Sequence, residues 1–264
     1  MPADFPRLAD MPEGLARWWL ETRVALAFLT RIPVPLDDAA DVPLAQAARG
    51  FPLAGLAVGI AGAVIFAIAE VFALPSLVAA LLAVGAMVLL TGGLHEDGLA
   101  DTADGLGGGS DRGHALTIMR DSRIGSYGVI ALVIAIGLRA AAISALGYAD
   151  AVGLAVIAAA CASRALLPAV MFLLPPARPD GLAQAAGAPS QRTAIEAAVL
   201  GGVVLLFCLG FLAGLLLMVL LALFTALFMR YLHLRLGGQT GDTLGAIQQG
   251  AEIVILIVAA NVIP

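Results

Sequence analysis

The sequence predicts an all-α, polytopic helical membrane protein with about seven transmembrane helices and an N-terminal interfacial helix. Three observations carry this reading. Of 264 residues, 61% are hydrophobic and 12% charged, against roughly 45–50% and about 25% in a soluble domain. Several apolar stretches reach the roughly 20 residues needed to cross a hydrocarbon core. The arginines, finally, segregate between alternate connections in a way that a wrong span count would scramble.

Residues 13–30, "EGLARWWLETRVALAFLT", place Leu15, Trp18, Trp19, Thr22, Leu26 and Leu29 at helical spacing, interrupted by Arg17, Glu21 and Arg23. Paired Trp beside Arg suits a helix in the headgroup region, and a helix packed on the bundle suits the pattern equally. "RIPVP" then extends the chain, because each proline disfavours helix at the residue before it. The predicted spans are 52–74, 75–94, 126–149, 151–174, 194–211, 213–231 and 245–264. The run 194–231 would measure roughly 55 Å as one helix, against a core of about 30 Å, so it is divided near Gly210 and Gly214.

With seven spans, Arg7, Arg17, Arg23, Arg31 and Arg49, then Arg112, Arg120 and Arg123, then Arg178 and Arg192, then Arg230 and Arg235 share one side. The opposite connections near Leu74, Asp150 and Gly210 hold no arginine. The positive-inside rule makes the first side cytoplasmic and puts the C-terminus outside. Residues 1–20 carry Asp4, Asp10 and Glu13 and no apolar h-region, so the expectation is insertion through the chain's own spans. The whole of 1–264 is read as a single integral-membrane catalytic domain. It comprises a cytoplasmic or interfacial segment 1–50, an acidic segment 92–128 and a second polar loop 235–252.

The formal charge of −5 is concentrated rather than spread, and all 14 basic residues are arginine. No basic stripe appears, so nucleic-acid binding is not expected. Cys161 and Cys208 lie in apolar runs without metal-binding spacing and read as inert thiols.

The chemistry concentrates in "TGGLHEDGLADTADGLGGGSDRGHALTIMRDSRIGSYG", Thr91–Gly128. Asp97, Asp101 and Asp104 follow an i, i+4, i+7 spacing, which aligns three carboxylates on one helical face, with Glu96 about 100° round. Two carboxylates ~6 Å apart at an effective dielectric near 20 repel by roughly 2–3 kcal/mol. A bound cation relieves that repulsion, and an all-oxygen donor set favours Mg²⁺ or Mn²⁺ over zinc. Mg²⁺ held by few carboxylates normally takes phosphate oxygens as further ligands. The glycine run Gly105–Ser110 lets backbone N–H groups approach an anion, and Arg120 and Arg123, flanking Asp121, are spaced to share a face as a phosphate clamp.

In the second island, Arg235–Glu252, Asp242 falls on the same membrane face and is a candidate to complete the metal site. Arg139 and Arg164 fall inside spans, where a lone cation costs about 2.5–3.5 kcal/mol or more. Both are expected to face a carboxylate or an anionic ligand. His95, beside the carboxylates, is a candidate ligand, proton acceptor or orienting hydrogen-bond partner.

Five pieces, "FLTRIPVP" (Phe28–Pro35), "FPLAGLAVG" (Phe51–Gly59), "GGLHEDGLADTADGLGG" (Gly92–Gly108), "MRDSRIGSYG" (Met119–Gly128) and "GGQTGDTLGA" (Gly237–Ala246), closely resemble the cobalamin synthase family in content and order. The stretch from Leu174 to Leu200 carries little resemblance of its own. The resemblance implies a Mg²⁺-dependent enzyme of the bacterial inner membrane, an adenosylcobinamide-GDP ribazoletransferase with its active-site loop in the cytoplasm. A ribose hydroxyl of α-ribazole, or of its 5′-phosphate, would displace GMP from adenosylcobinamide-GDP. On that reading Asp97, Asp101 and Asp104, with Glu96 and Asp242, hold Mg²⁺. Arg120, Arg123, Asp121, Gly105 and Arg164 attend the phosphates, and a carboxylate or His95 takes the hydroxyl proton. The implied partners are the two substrates and the lipid bilayer, and the sequence is compatible with a homo-oligomer.

Two other enzyme classes share this physics. Membrane prenyltransferases usually carry two aspartate-rich motifs, whereas the second island here has the single Asp242. CDP-alcohol phosphotransferases open with D-x-x-D-G, which "DTADG" (Asp101–Gly105) fits, but the following Ala-Arg and G-x-x-x-D-x-x-x-D are missing. A transporter usually places its polar groups near the midplane in repeated broken helices, and no internal repeat is evident.

Overall fold

The computed structural model describes residues 12–39 and 41–263. Arg7, Asp4 and Asp10, named above for topology and for the expected mode of insertion, lie outside the described residues. The described chain is helical throughout, with an isolated bridge between Pro176 and Gln239.

Helix α1 (Glu13–Leu29) leads through the extended "RIPVP" to a short α2 (Leu44–Ala47) and a 3-10 turn (Ala48–Gly50) that runs straight into α3 (Phe51–Val71). Then come α4 (Ser76–Thr91), α5 (Leu94–Gly108), α6 (Arg112–Ile118) and α7 (Ser126–Leu146). The second half holds α8 (Ala149–Ala165), α9 (Leu167–Leu173), α10 (Leu182–Ala186), α11 (Gln191–Leu209), α12 (Phe211–Leu236) and α13 (Gly241–Val262). Six helical stretches among the described residues are long and apolar enough to cross a membrane. A seventh results if the bent pair α4–α5 counts as one span. This is the architecture of a polytopic helical membrane protein.

Two sequence boundaries shift and one holds, each for a local reason. The long run divides at Gly210, whose φ of 82° belongs to the left-handed region that glycine enters without a Cβ penalty. Gly214 lies inside α12 instead, where a Cβ would come within 2.9 Å of Leu206 Cα. The span expected over 151–174 holds as one stretch, Ala149–Leu173. A local irregularity falls at Leu166, with Pro168 in the first turn of α9, because proline supplies no amide to continue the preceding helix. The second polar loop, expected over 235–252, shrinks to Gly237–Thr240. A reciprocal capping box between Thr240 and Thr243 starts α13 at Gly241, well before the expected residue 245.

The bundle is assembled by close backbone approach. A Cβ on Gly55 would lie 2.2 Å from Ala160 O, and one on Gly59 2.7 Å from Ile157 Cα, so this G-x-x-x-G face lets α3 lie directly against alanine-rich α8. α1 docks rather than floats: Glu21 and Arg23 are buried, Arg49 pairs with Glu21 and, at 3.0 Å, with Glu196, and its guanidinium stacks 4.3 Å from the Trp18 ring.

The element that positions the site is the corner between α4 and α5. Gly92 (φ 67°) and Gly93 (φ 73°) close α4 in the left-handed region, and α5 leaves at 91°. Its charged sequence therefore turns across the direction of α4 instead of continuing it. There it packs on the first turns of α13, where a Cβ on Gly98 would meet Asp242 O at 2.8 Å.

Candidate active site

α5 has two polar faces. One is inward and closed. Glu96 Oε1 accepts hydrogen bonds from Arg139 (2.8 Å) and Gln249 (3.1 Å). Arg139 also reaches Glu252 at 2.7 Å, and Arg164 lies 3.6 Å from the other oxygen of Glu252. Gln248 donates to Glu252 and sits beside Ser163 and Gln249. The expectation that Arg139 and Arg164 turn inward to carboxylates is thus met by Glu96 and Glu252. Arg164, offered above for phosphate, spends its guanidinium on Glu252 and on its own helix at Ala160 O (3.0 Å).

The other face is open. Asp97 is exposed and Asp101 half-buried on it, and Asp242 joins them from the first turn of α13. Burial and the Asp97, Asp242 and Asp104 carboxylates raise the Asp101 carboxyl to about 6, while Arg178 draws it down. No three His, Cys, Asp or Glu among the described residues are gathered into a ready metal cage. The donor chemistry nevertheless suits a hard divalent cation: oxygen ligands, mutual repulsion, and room beside them. That room is a cleft of about 650 Å³ lined by Asp97, Arg31, Thr30, Gly92, Gly93 and Ile124, among others.

Asp104 leaves the expected carboxylate ladder. One oxygen accepts from Gly125 N (2.7 Å), the other from Gly128 N (2.9 Å), so Asp104 closes the N-terminus of α7, where free amides and the helix dipole favour an anion. A Cβ on Gly125 or Gly128 would fall 2.4 Å from these oxygens, which explains the glycines of "RIGSYG". Gly105 is helical and packed under Met119, whose Cγ a Cβ would meet at 2.5 Å, and the expected anion-binding loop is helix up to Gly108.

The arginine pair also resolves differently. α6 ends at Ile118, so Arg120 and Arg123 lie in a turn rather than on one helical face. Arg120 pairs with Asp180. Arg123 forks onto Asp121 through Nε at 3.0 and 3.2 Å and holds that exposed carboxyl down at about 2. The cations beside the open carboxylates are others. Arg178 lies 3.6 Å from Asp242, with a second guanidinium nitrogen buried and without a hydrogen-bond partner. Arg31 lines the cleft. Arg31 lies in the family-like piece Phe28–Pro35, where the sequence does not single it out, and Arg178 has no local sequence signal. Arg178 sits in the stretch without family resemblance and arrives through the Pro176–Gln239 bridge.

His95 turns away from the open carboxylates. It is 3% exposed, neither ring nitrogen has a hydrogen-bond partner, and burial, with Arg164 and Arg139 nearby, lowers its pKa well below the ordinary histidine value.

Known proteins point the same way. The family model for cobalamin-5-phosphate synthase matches residues 21–260. A relative from Bradyrhizobium diazoefficiens, called adenosylcobinamide-GDP ribazoletransferase, is 50% identical over 91% of this chain and 93% of its own. Relatives of the same name from Mesorhizobium japonicum and Azorhizobium caulinodans are each 49% identical, covering 91% and 88% of this chain and 92% of their own length. No solved structure is significantly similar. The family match spans α5, α7 and nearly all of α13, the helices that build both polar faces, and the chain belongs to the cobalamin-5-phosphate synthase family.

Proposed function

We propose that this chain is an adenosylcobinamide-GDP ribazoletransferase whose reaction takes place at the open face of α5. The observation that carries the reading is the meeting of Asp97 and Asp101 with Asp242 from a second helix, beside Arg178, at the edge of a large cleft. Such a site suits a Mg²⁺-bound diphosphate. The family relatives supply the identity of that diphosphate.

In the proposed reaction a ribose hydroxyl oxygen of α-ribazole, or of its 5′-phosphate, attacks the cobinamide-side phosphorus. The new P–O bond forms as the bond to the GMP oxygen breaks, GMP departs with that electron pair, and the hydroxyl proton passes to a carboxylate of the site. Asp97, Asp101 and Asp242 would hold Mg²⁺, which when bound offsets charge on the diphosphate and on the departing GMP. Arg178 and Arg31 orient the phosphates and leave Arg120 and Arg123 to their own aspartates. Arginines cluster at the end of the bundle that carries α5, so the site faces the cytoplasm of an inner-membrane protein.

The test is turnover by the purified, detergent-solubilised chain with adenosylcobinamide-GDP and α-ribazole, with and without Mg²⁺, beside Asp101→Asn. GMP and a cobalamin product that vanish together without metal or without that carboxylate support the reading. Full activity in Asp101→Asn removes the metal site while leaving the family activity. An absence of product under every condition sinks the activity itself.

A further inference from the structure

Arg178 reaches the open carboxylates from a connection that other elements hold in place. Between α9 and α10 it lies in "PPARPD", Pro175–Asp180, where each proline fixes φ and removes an amide. Both polar groups of the Ala177 backbone are taken. Its amide donates to Gln239 O at 2.7 Å. Its carbonyl, half of the peptide bond to Arg178, accepts from Arg112 Nη2 at 2.7 Å. Gln239 N in turn donates to Pro175 O at 2.8 Å, and Asp180 pairs with Arg120. Glycines of the α12–α13 turn permit the approach. A Cβ on Gly238 would lie 2.2 Å from Pro175 O, and one on Gly237, at φ 71°, would meet Arg112 Cζ at 3.3 Å.

We infer that Arg112 is a positioning residue for the proposed transfer: it holds the Ala177–Arg178 peptide so that the Arg178 guanidinium stands beside Asp242. The inference rests on the transferase reading above, in which Arg178 orients the diphosphate. The Arg178 side chain is weakly held by its own contacts. Its approach to Asp242, at 3.6 Å, is longer than a hydrogen bond, and Nη1 is buried without a partner. The aim of the guanidinium is therefore set by its backbone. Two anchors fix that backbone. The Gln239 bonds tie it to the start of α13, the helix that carries Asp242, and Arg112 ties it to α6. The Arg112 bond is charge-assisted and partly buried, and so the stronger kind. The Arg120–Asp180 pair is exposed at both ends, where ion pairs contribute little. A small tilt of the Ala177–Arg178 peptide is magnified along the Arg178 side chain, and a displacement of about 1 Å in a binding group can cost up to about a hundredfold in rate. Fixing such a group through supporting hydrogen bonds is what keeps a site in productive geometry.

The test is a double-mutant cycle on the full chain in detergent, read as KM for adenosylcobinamide-GDP. Arg112→Ala should raise that KM by about fivefold, part of the value of the phosphate contact that Arg178 makes. KM for α-ribazole should stay within about twofold. In the Arg178→Ala background the same change should raise KM for adenosylcobinamide-GDP by less than about twofold, because no guanidinium is left to aim. Arg112→Lys, which keeps a charged donor on a different stem, should recover part of the loss. It also carries the test if Arg112→Ala fails to fold, since its smaller rise in KM should likewise vanish beside Arg178→Ala. Equal rises in both backgrounds, or a KM unmoved by either change at Arg112, overturn the positioning role while the transferase reading stands. A rise in KM for both substrates together with a lower melting temperature marks a purely structural contact and overturns it as well. No GMP release by the intact chain overturns both readings.

Discussion

Two helices, α5 and α13, each contribute to two polar regions that behave oppositely. Glu96 and Glu252 enter a closed network in which two carboxylates meet two guanidiniums, Arg139 and Arg164, inside the bundle. Asp97 lines an open cleft with Asp101 and Asp242 near it, and Arg178, at 3.6 Å from Asp242, is the nearby guanidinium. Glu96 and Asp97 are chain neighbours, yet about 100° of helical rotation sends one into the core and the other to the surface. The closed region balances its charge and fixes the position of α5 on α13. The open region carries an excess of negative charge, which a folded protein tolerates where a cation or a cationic ligand is to be taken up.

The comparison can be broken most directly at Glu252, which is 0% exposed. Glu252→Ala leaves Arg139 and Arg164 short of their shared buried partner, and removing one member of such a set typically costs about 3–5 kcal/mol. The expected result is loss of the monodisperse, detergent-soluble protein in size-exclusion chromatography and a collapse of the thermal transition. Asp242→Asn should keep both and abolish turnover instead. A stable Glu252→Ala protein with normal activity would show that the closed network does not anchor α5.

Asp104 separates the regions within the acidic face itself. Asp101→Asn should lower kcat by at least about a hundredfold, the scale of losing electrostatic stabilisation of the transferring phosphoryl group. It should leave circular dichroism unchanged. Asp104→Ala removes both acceptors at the start of α7, so it should lower the melting temperature by the equivalent of about 0.5–2 kcal/mol. Part of its activity should return at lower temperature. Identical behaviour of the two variants would place both carboxylates in one role.

The pH dependence sharpens the contrast. Folding raises the Asp101 carboxyl from its ordinary 3.8 to about 6, so the folded state holds that proton more tightly than the unfolded chain. The group therefore costs nothing below pH 3.8 and destabilises increasingly as pH rises to 6, and the full cost remains above that. Metal-free Asp101→Asn should melt higher than the metal-free parent above about pH 6 and equally below about pH 4. Mg²⁺ should raise the parent's melting temperature above pH 6 and leave the variant's nearly unmoved.

Smallest is the arginine comparison. Arg178→Ala should raise KM for adenosylcobinamide-GDP by about tenfold, the value of one charge-assisted phosphate contact. Arg123→Ala, which frees only the exposed Asp121, should change it less than about twofold. The reverse ranking would return the phosphate clamp to the Met119–Gly128 segment.

Much of this was readable in the chain. The apolar runs announced the spans because a hydrocarbon core leaves the backbone few alternatives to helix. The lone Arg139 and Arg164 announced inward partners because bare charge is too costly there. The i, i+4, i+7 spacing placed Asp97 and Asp101 on one face correctly. Asp104 shares that register and acts on Asp101, but spacing along a helix says nothing about which amides approach its end. The amides of Gly125 and Gly128 come from a segment more than twenty residues on. Arg120 and Arg123 looked like a pair at helical spacing, but the helix stops at Ile118.

By itself, then, the sequence determined the fold class, the acidic helix and the family, because hydropathy, helical periodicity and a long specific motif are local properties of the chain. Tertiary structure alone decided which carboxylates stay free, which arginines stand beside them, and that His95 turns away from them. Those outcomes depend on the 91° corner at Gly92–Gly93 and on the crossing of Gly98 over Asp242. Such contacts join residues far apart in the chain, so no local pattern encodes them.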